Sequence, residues 1–194
     1  GIANLCLAGG VALNCVSNGK VLRDGAVKNL WIQPAAGDAG GALGAALAGY
    51  YLYAGSPRAG GGGDCMQGSY LGNEYSSLEI EAQLRDAGAV YEHLGERELI
   101  ERCAALLSQG QAMAWFQGRM EFGPRSLGAR SILGDPRSPG MQSALNLKVK
   151  FRESFRPFAP SVLREDVGEW FDLNGDSPYM LLVADVAAKR RIPM

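Results

Sequence analysis

NLCLAGGVALNCVSNGKVLRDGAVKNLWIQPAAGDAGGALGAALAGYYLY, residues 4–53, reads as two strand–turn–helix units in succession. Asn4 to Ala8 is a short apolar run suited to a buried strand. Gly9 and Gly10 turn the chain, and Val11 to Leu22 carries helical periodicity. Asn29 to Gln33 predicts a second strand, closed by Pro34. Ala35 to Gly41 is a turn of small residues, and Ala42 to Tyr53 predicts a small-residue helix. Strand, Gly-rich turn and helix, twice over, define an α/β class.

Both Gly-rich turns open helices. Backbone N–H groups at a helix start can hold a phosphate, and glycine allows a nucleotide to come close. Neither turn matches G-x-G-x-x-G or the P-loop pattern, so on these residues alone tight strand-to-helix turns are the simpler reading. Asp38 reads either as an ordinary helix N-cap or as a ligand for a hard cation or a ribose hydroxyl.

Outward from this stretch, Ser56 to Asp64 (SPRAGGGGD) predicts a linker, since consecutive glycines lose too much entropy on ordering. Residues 56–65 therefore separate an expected domain at 1–55 from one at 66–194. The second is again α/β. Ser76 to Ala87 and Glu96 to Gln109 predict amphipathic helices stopped by Gly88 and Gly110. Ala89–Glu92, Ala112–Phe116, Ser131–Leu133, Phe158–Leu163 and Met180–Val186 read as strands, and Pro139 to Lys148 as a helix.

Residues 112–160, AMAWFQGRMEFGPRSLGARSILGDPRSPGMQSALNLKVKFRESFRPFAP, concentrate cationic side chains in a protein whose formal net charge is only -1. Arg119, Arg125, Arg130, Lys150 and Arg152 sit among Gly, Pro, Ser and Phe. A solvated helical face would instead interleave Glu and Lys at spacings of three and four. Arginine at turns offers a planar fork of donors for phosphate or carboxylate. Structural ion pairing with Glu121, Asp135, Glu153 and Asp166 is the competing reading, with Glu121 and Glu153 also able to orient arginines. On local chemistry the anion pocket is favoured. A strand-like Lys150-x-Arg152 would send both side chains to one side.

Composition excludes several classes. Near-zero net charge argues against a broad nucleic-acid footprint. No apolar run is long enough for a membrane span and no cationic leader precedes an apolar segment, which together predict a cytoplasmic protein. Cys6, Cys15, Cys65 and Cys103 lack C-x-x-C spacing and read as free thiols. His93 is the one histidine, so a histidine-rich centre cannot be built from this chain alone. The missing initiator Met and the ending Ile192-Pro193-Met194 suggest a piece of a longer polypeptide.

GGVALN with QPAAGDAGGALGAAL, WFQGRMEFGPRSLGARSILGDPRS and KVKFRESFRPFAPSVL together resemble the NodU/CmcH/TobZ family of O-carbamoyltransferases, over most of the chain from Leu5 to Pro160. That resemblance implies the tail of an actin-like (ASKHA) domain followed by an incomplete YrdC-like α/β domain. It implies an ATP-dependent enzyme that makes carbamoyl-adenylate from carbamoyl phosphate and ATP, then passes the carbamoyl group to a hydroxyl of a sugar or natural product. Nodulation and antibiotic biosynthesis are the settings such acceptors suggest. Arg119, Arg125, Arg130, Lys150 and Arg152 match the family's catalytic Arg-rich loop and K-x-R element, with Ser154 and Arg156 as further phosphate-side residues. Gly9, Gly10 and Asn14, with Gly37 and Gly40, fall at the nucleotide-facing turns.

By the same resemblance, Asp38 matches the aspartate that ligates a divalent metal (Fe or Mg) together with two histidines on a segment this chain lacks. The chain by itself is therefore expected to be inactive. A truncated sheet has open edges, which makes pairing with a second copy an expected partner interaction. No nucleic-acid or membrane partner is expected. The alternative class is a non-catalytic nucleotide- or phosphate-binding module.

Overall fold

The computed structural model describes residues 2–58 and 60–191. Ala59 in the Gly-rich stretch, Gly1, and the Ile192-Pro193-Met194 ending lie outside the described residues. The chain forms two compact α/β units. One comprises Gly1–Gly72, Glu121–Leu127 and Ser161–Met194; the other comprises Asn73–Met120 and Gly128–Pro160. This partition differs from the one expected at residues 56–65, because the Gly-rich stretch lies inside the first unit and each unit gathers discontinuous segments.

The first unit is built on a parallel pair, β1 (Asn4–Leu7) and β2 (Asn29–Ile32), in the register Asn4↔Asn29 to Leu7↔Ile32. Parallel strands need a crossover, and α1 (Cys15–Arg23) supplies it. The helix predicted from Val11 is divided in two. A 3₁₀ turn, Gly10–Leu13, comes first; Asn14 then restarts the chain as N-cap, its side chain accepting from the Ser17 amide at 3.1 Å. Asn14 is the kind of residue that competes for backbone donors in this way.

After β2 the chain turns through Pro34–Gly37 into α2 (Asp38–Ala48), which runs on as a π turn over Gly49–Tyr53. Gly40 is required at this bend. Its amide donates to the Ala35 carbonyl at 2.7 Å, and a Cβ at position 40 would lie 2.1 Å from that oxygen. Ala12, Ile32, Ala36 and Leu181 form the buried cluster, flanked by Leu7, Leu13, Leu30, Tyr179 and Leu182. Asn18, 3% exposed, ties the late segment in by donating to Ala12 O at 2.8 Å and Leu181 O at 3.0 Å. The short helix α6 (Val167–Trp170) also belongs to this unit.

The second unit holds α3 (Ser77–Asp86), α4 (Glu96–Ser108), an antiparallel pair β3 (Met113–Phe116) and β4 (Arg130–Leu133), and α5 (Met141–Ala144) with a π turn over Leu145–Val149. Ser76 and Glu79 form a reciprocal capping box at the start of α3. Gly88 (φ 63°) and Gly110 (φ 78°) follow α3 and α4 in the left-handed conformation that ends helices.

Three expected strands are not strands. At Ala89–Glu92 the Ala89 amide returns to Leu84 O at 2.9 Å, closing the helix end and leaving the segment without a ladder. Phe158–Leu163 is irregular; Pro157 and Pro160 each remove a donor that a ladder would need. In Met180–Val186, Leu181 O and Val183 O are taken by the side chains of Asn18 and Arg23, and one isolated bridge, Phe171↔Val186, is the only pairing among the described residues. No helix among the described residues is long and apolar enough to cross a membrane.

Candidate functional site

Within the first unit, three separated motifs meet. Gly9 (φ 90°) and Gly10 lead into the 3₁₀ turn, and Asn14 caps α1 as described. Gly37 is the N-cap of α2, Asp38 its first residue, and Gly40 the close-approach glycine of the same turn. Asp38 is therefore at a helix start, exposed, and its carboxylate does not cap: the turn has no side-chain cap bond.

The third motif is the loop Glu121–Leu127. Glu121, 3% exposed, accepts from the Leu127 amide at 2.6 Å and closes the loop on itself. The Phe122 amide donates to Ser69 O at 2.6 Å, and the Tyr70 hydroxyl donates to Leu127 O at 2.8 Å. Gly123 (φ 122°) sits so close to the second Gly-rich turn that a Cβ there would lie 3.0 Å from the Ala35 Cβ. Arg125 reaches the first turn, its Nη2 donating to Leu13 O at 2.7 Å.

In the second unit, Arg152 is held by a residue that the sequence reading did not single out. Asn146 is fully buried. Its Nδ2 donates to Ser154 O at 3.1 Å and Arg156 O at 2.8 Å, while its Oδ1 accepts from Arg152 Nε at 2.7 Å. Gln142 adds a second donor to Arg156 O at 3.1 Å. The 152–156 segment is thereby wrapped onto α5 and its π turn. Arg152 also stacks over Phe158 with the guanidinium carbon 5.0 Å from the ring centre. The signal that could have found Asn146 is an amide inside the apolar run ALNLKV, where solvation would not place one.

The Lys150-x-Arg152 element is not a strand. Lys150 ends the π turn in αR geometry, Phe151 has φ 49°, and the two cations are separated by that left-handed residue, so the shared side expected from strand periodicity does not apply. Lys150 is exposed and Arg152 half-buried. Arg119 pairs with Glu74 at 2.7 Å, both about half exposed, and Arg130 begins β4 opposite Phe116. Arg156 pairs with Glu153 at 2.8 Å, with the Glu153 carboxyl held below its usual value by its backbone and by Arg156; Ser154 is exposed. Of the five expected catalytic cations, Arg119, Arg130, Lys150 and Arg152 belong to the second unit and Arg125 to the first.

For a divalent metal, the residues present do not suffice: among the described residues no group of three or more His, Cys, Asp and Glu could hold an ion, and Asp38 is a single carboxylate. What these features define is an α/β protein with Gly-rich helix-opening turns in one unit and buttressed loop arginines in the other.

Comparison with known sequences places this class. Residues 1–47 match the family Carbamoyltransferase N-terminus and residues 104–194 match Carbamoyltransferase C-terminus. The chain belongs to the carbamoyltransferase family. It is 57% identical to the uncharacterized protein sll1178 of Synechocystis sp., over 100% of this chain and 32% of that protein. It is 43% identical to nodulation protein NolNO of Sinorhizobium fredii, over 98% of this chain and 28% of that protein. It is 34% identical to 3'-hydroxymethylcephem-O-carbamoyltransferase of Streptomyces clavuligerus, over 91% of this chain and 31% of that protein. The chain thus spans about a third of the length of the curated relatives it matches.

Proposed function

We propose that a polypeptide carrying these residues is an ATP-dependent O-carbamoyltransferase that works through carbamoyl-adenylate. The observation that supports it is the match of one chain to both the N-terminal and the C-terminal carbamoyltransferase families, alongside a relative whose name is a cephem O-carbamoyltransferase. In this reading the first unit contributes the tail of an actin-like domain. The second contributes much of a YrdC-like domain that forms the adenylate: water takes the phosphate off carbamoyl phosphate, and the oxygen of the carbamate so formed attacks the ATP α-phosphorus and displaces pyrophosphate.

The second unit's cations suit polyanionic reactants. Arg152 has its Nε committed to Asn146 and its face to Phe158, so an anion would be gripped through Nη1 and Nη2. A guanidinium fixed in this way stabilises charge that grows on the phosphates without reorganising at the moment of reaction. Arg119, Arg130 and Lys150, with Ser154 and Arg156, would complete the phosphate side. In the transfer step an acceptor hydroxyl oxygen attacks the carbamoyl carbon. Its bond to AMP breaks, AMP leaves with the electron pair, and the hydroxyl proton is lost. Gly9, Gly10, Asn14, Gly37 and Gly40 would form the backbone surface facing the nucleotide. No step is assigned to a metal on Asp38 alone.

The test is an assay of the full-length polypeptide with ATP, carbamoyl phosphate and a panel of sugar and natural-product hydroxyl acceptors. A carbamoylated product, with AMP and pyrophosphate formed in step with it, is the expected result. Arg152→Ala should slow pyrophosphate release about 100-fold, the usual effect of removing one preorganised donor. No ATP-dependent product with any acceptor, or pyrophosphate release indifferent to Arg152, would overturn the reading.

A further inference from the structure

We infer that Arg125 is a positioning residue for carbamoyl transfer in the first unit, and not a phosphate ligand for adenylate formation in the second. The inference rests on the function proposed above. In the sequence Arg125 lies between Arg119 and Arg130 and shares their Gly- and Pro-rich setting. The fold assigns Arg119 and Arg130 to one unit and Arg125, with the loop Glu121–Leu127, to the other.

The contact that Arg125 makes is specific. Leu13 is the last residue of the 3₁₀ turn, and carbonyls at the end of a helical turn have no partner within it. Arg125 Nη2 supplies that partner at 2.7 Å. The next residue is Asn14, whose side chain caps α1. One charged hydrogen bond therefore fixes the junction at which the GGVALN motif passes from turn into helix.

The loop itself is held in shape from several sides. Glu121 closes it through the Leu127 amide, Ser69 O holds the Phe122 amide, and Gly123 lies against Ala35, which is fully buried. Ala35 O in turn accepts the Gly40 amide at the start of α2. A single short loop thus braces both Gly-rich turns, the first through Arg125 and the second through Gly123. Arg125 Nη2 is already committed to Leu13 O.

Arg125 Nε is buried and takes no partner among the described residues. A buried donor left unmade is costly, and such exceptions in a folded protein concentrate where function outweighs local stability. The side chain is retained in this position by the Leu13 bond and by loop packing.

The two halves of the reaction separate the possibilities. In the full-length polypeptide, pyrophosphate release without acceptor reads adenylate formation, and carbamoylated product with acceptor reads transfer. Arg125→Ala should lower kcat for transfer about 100-fold, the effect of a small misplacement of reacting groups. Adenylate formation and acceptor KM should stay within about twofold of wild type. Arg125→Lys should recover at least about tenfold of the lost transfer rate, because an ammonium can still donate to Leu13 O. Arg152→Ala should instead slow pyrophosphate release, and carbamoylated product should fall with it in the same proportion.

If Arg125→Ala loses adenylate formation as severely as Arg152→Ala, Arg125 is a phosphate ligand and the inference is wrong. It is equally wrong if Arg125→Ala and Arg125→Lys lower both readouts in parallel with the fraction folded, as a purely structural role would. Wild-type polypeptide that forms no adenylate would instead sink the functional reading, and this division of labour with it.

Discussion

Asn146 illustrates how much one buried amide can organise. It uses both ends of its side chain: the Nδ2 holds the Ser154 and Arg156 carbonyls, and the Oδ1 holds Arg152. Asn146→Ala strips partners from those carbonyls and from a guanidinium at once. Leaving such groups unsatisfied costs about 1–3 kcal/mol each when they stay buried. Since Arg156 O keeps Gln142 and Arg152 keeps Phe158, a net loss of about 2–3 kcal/mol is expected for the second unit. Urea unfolding, followed by a probe in that unit, measures it; a loss below about 0.5 kcal/mol would show that the amide is not the hub argued here. Arg152 should also become the more mobile, which is why Asn146→Ala is expected to slow adenylate formation without touching any reactant.

At the level of elements, the turn Gln67–Ser69 has the least comfortable backbone in the first unit. Gln67, Gly68 and Ser69 are all left-handed (φ 49°, 69° and 68°), a conformation that side chains other than glycine's disfavour. Asp64 and Tyr179 hold it there. Asp64 accepts from the Met66 amide at 2.9 Å and the Gly68 amide at 3.3 Å, and also from the Tyr179 hydroxyl, which itself accepts from Gly68 N at 3.1 Å. Asp64, though it ends the Gly-rich stretch, is thus a fixed point and not part of a free linker.

The same pairing carries a pH signature. Burial, then the Asp64 hydrogen bond, push the Tyr179 phenol from 10.0 up to about 12. The Tyr179 hydrogen bond, ahead of the Met66 and Gly68 amides, lowers the Asp64 carboxyl below 3.8. A raised phenol pKa stabilises the fold below pH 10.0, and that contribution is lost as the pH climbs to about 12. A lowered carboxyl pKa stabilises it above pH 3.8 and is lost in more acidic solution. Tyr179→Phe should therefore be less stable at neutral pH and should flatten the alkaline limb. Stability measured against pH for both proteins checks this; parallel alkaline limbs would rule out the Asp64–Tyr179 pair as its source.

For the whole molecule, the balance of buried and exposed apolar surface is the dominant fact. Among the described residues the buried hydrophobic side chains are few, and four of the nine are alanines, Ala12, Ala35, Ala36 and Ala129. Meanwhile Val11, Tyr53, Leu52, Phe151 and Phe155 are each at least three-quarters exposed. Apolar surface of this extent on a folded protein marks sites where something else packs, or a tendency to associate. The 194-residue chain on its own is expected to bind a hydrophobic dye such as ANS and to elute from a sizing column in a concentration-dependent, self-associated form. A dye-silent monomer across the same concentrations would mean that this surface is covered within the chain.

The sequence by itself determined what depends on near neighbours. The capping box at Ser76 and Glu79, the glycine stops at Gly88 and Gly110, and the strand–turn–helix order from Asn4 to Ala48 follow from local backbone preference and periodicity. The motifs that mark the carbamoyltransferase family are likewise continuous stretches, long and ungapped, and readable without a structure. Tertiary structure alone decided the rest. Met180–Val186 looks like a strand, yet becomes an irregular strap because Asn18 and Arg23, distant in sequence, take its carbonyls. Lys150-x-Arg152 lost its strand geometry to the wrap of residues 152–156 around Asn146. Arg125 parted from its sequence neighbours because Gly123, lacking a Cβ, lies close against Ala35 while Arg125 reaches the Leu13 carbonyl. Periodicity reports which face of an element is apolar, but it holds no record of which distant carbonyl a side chain will meet.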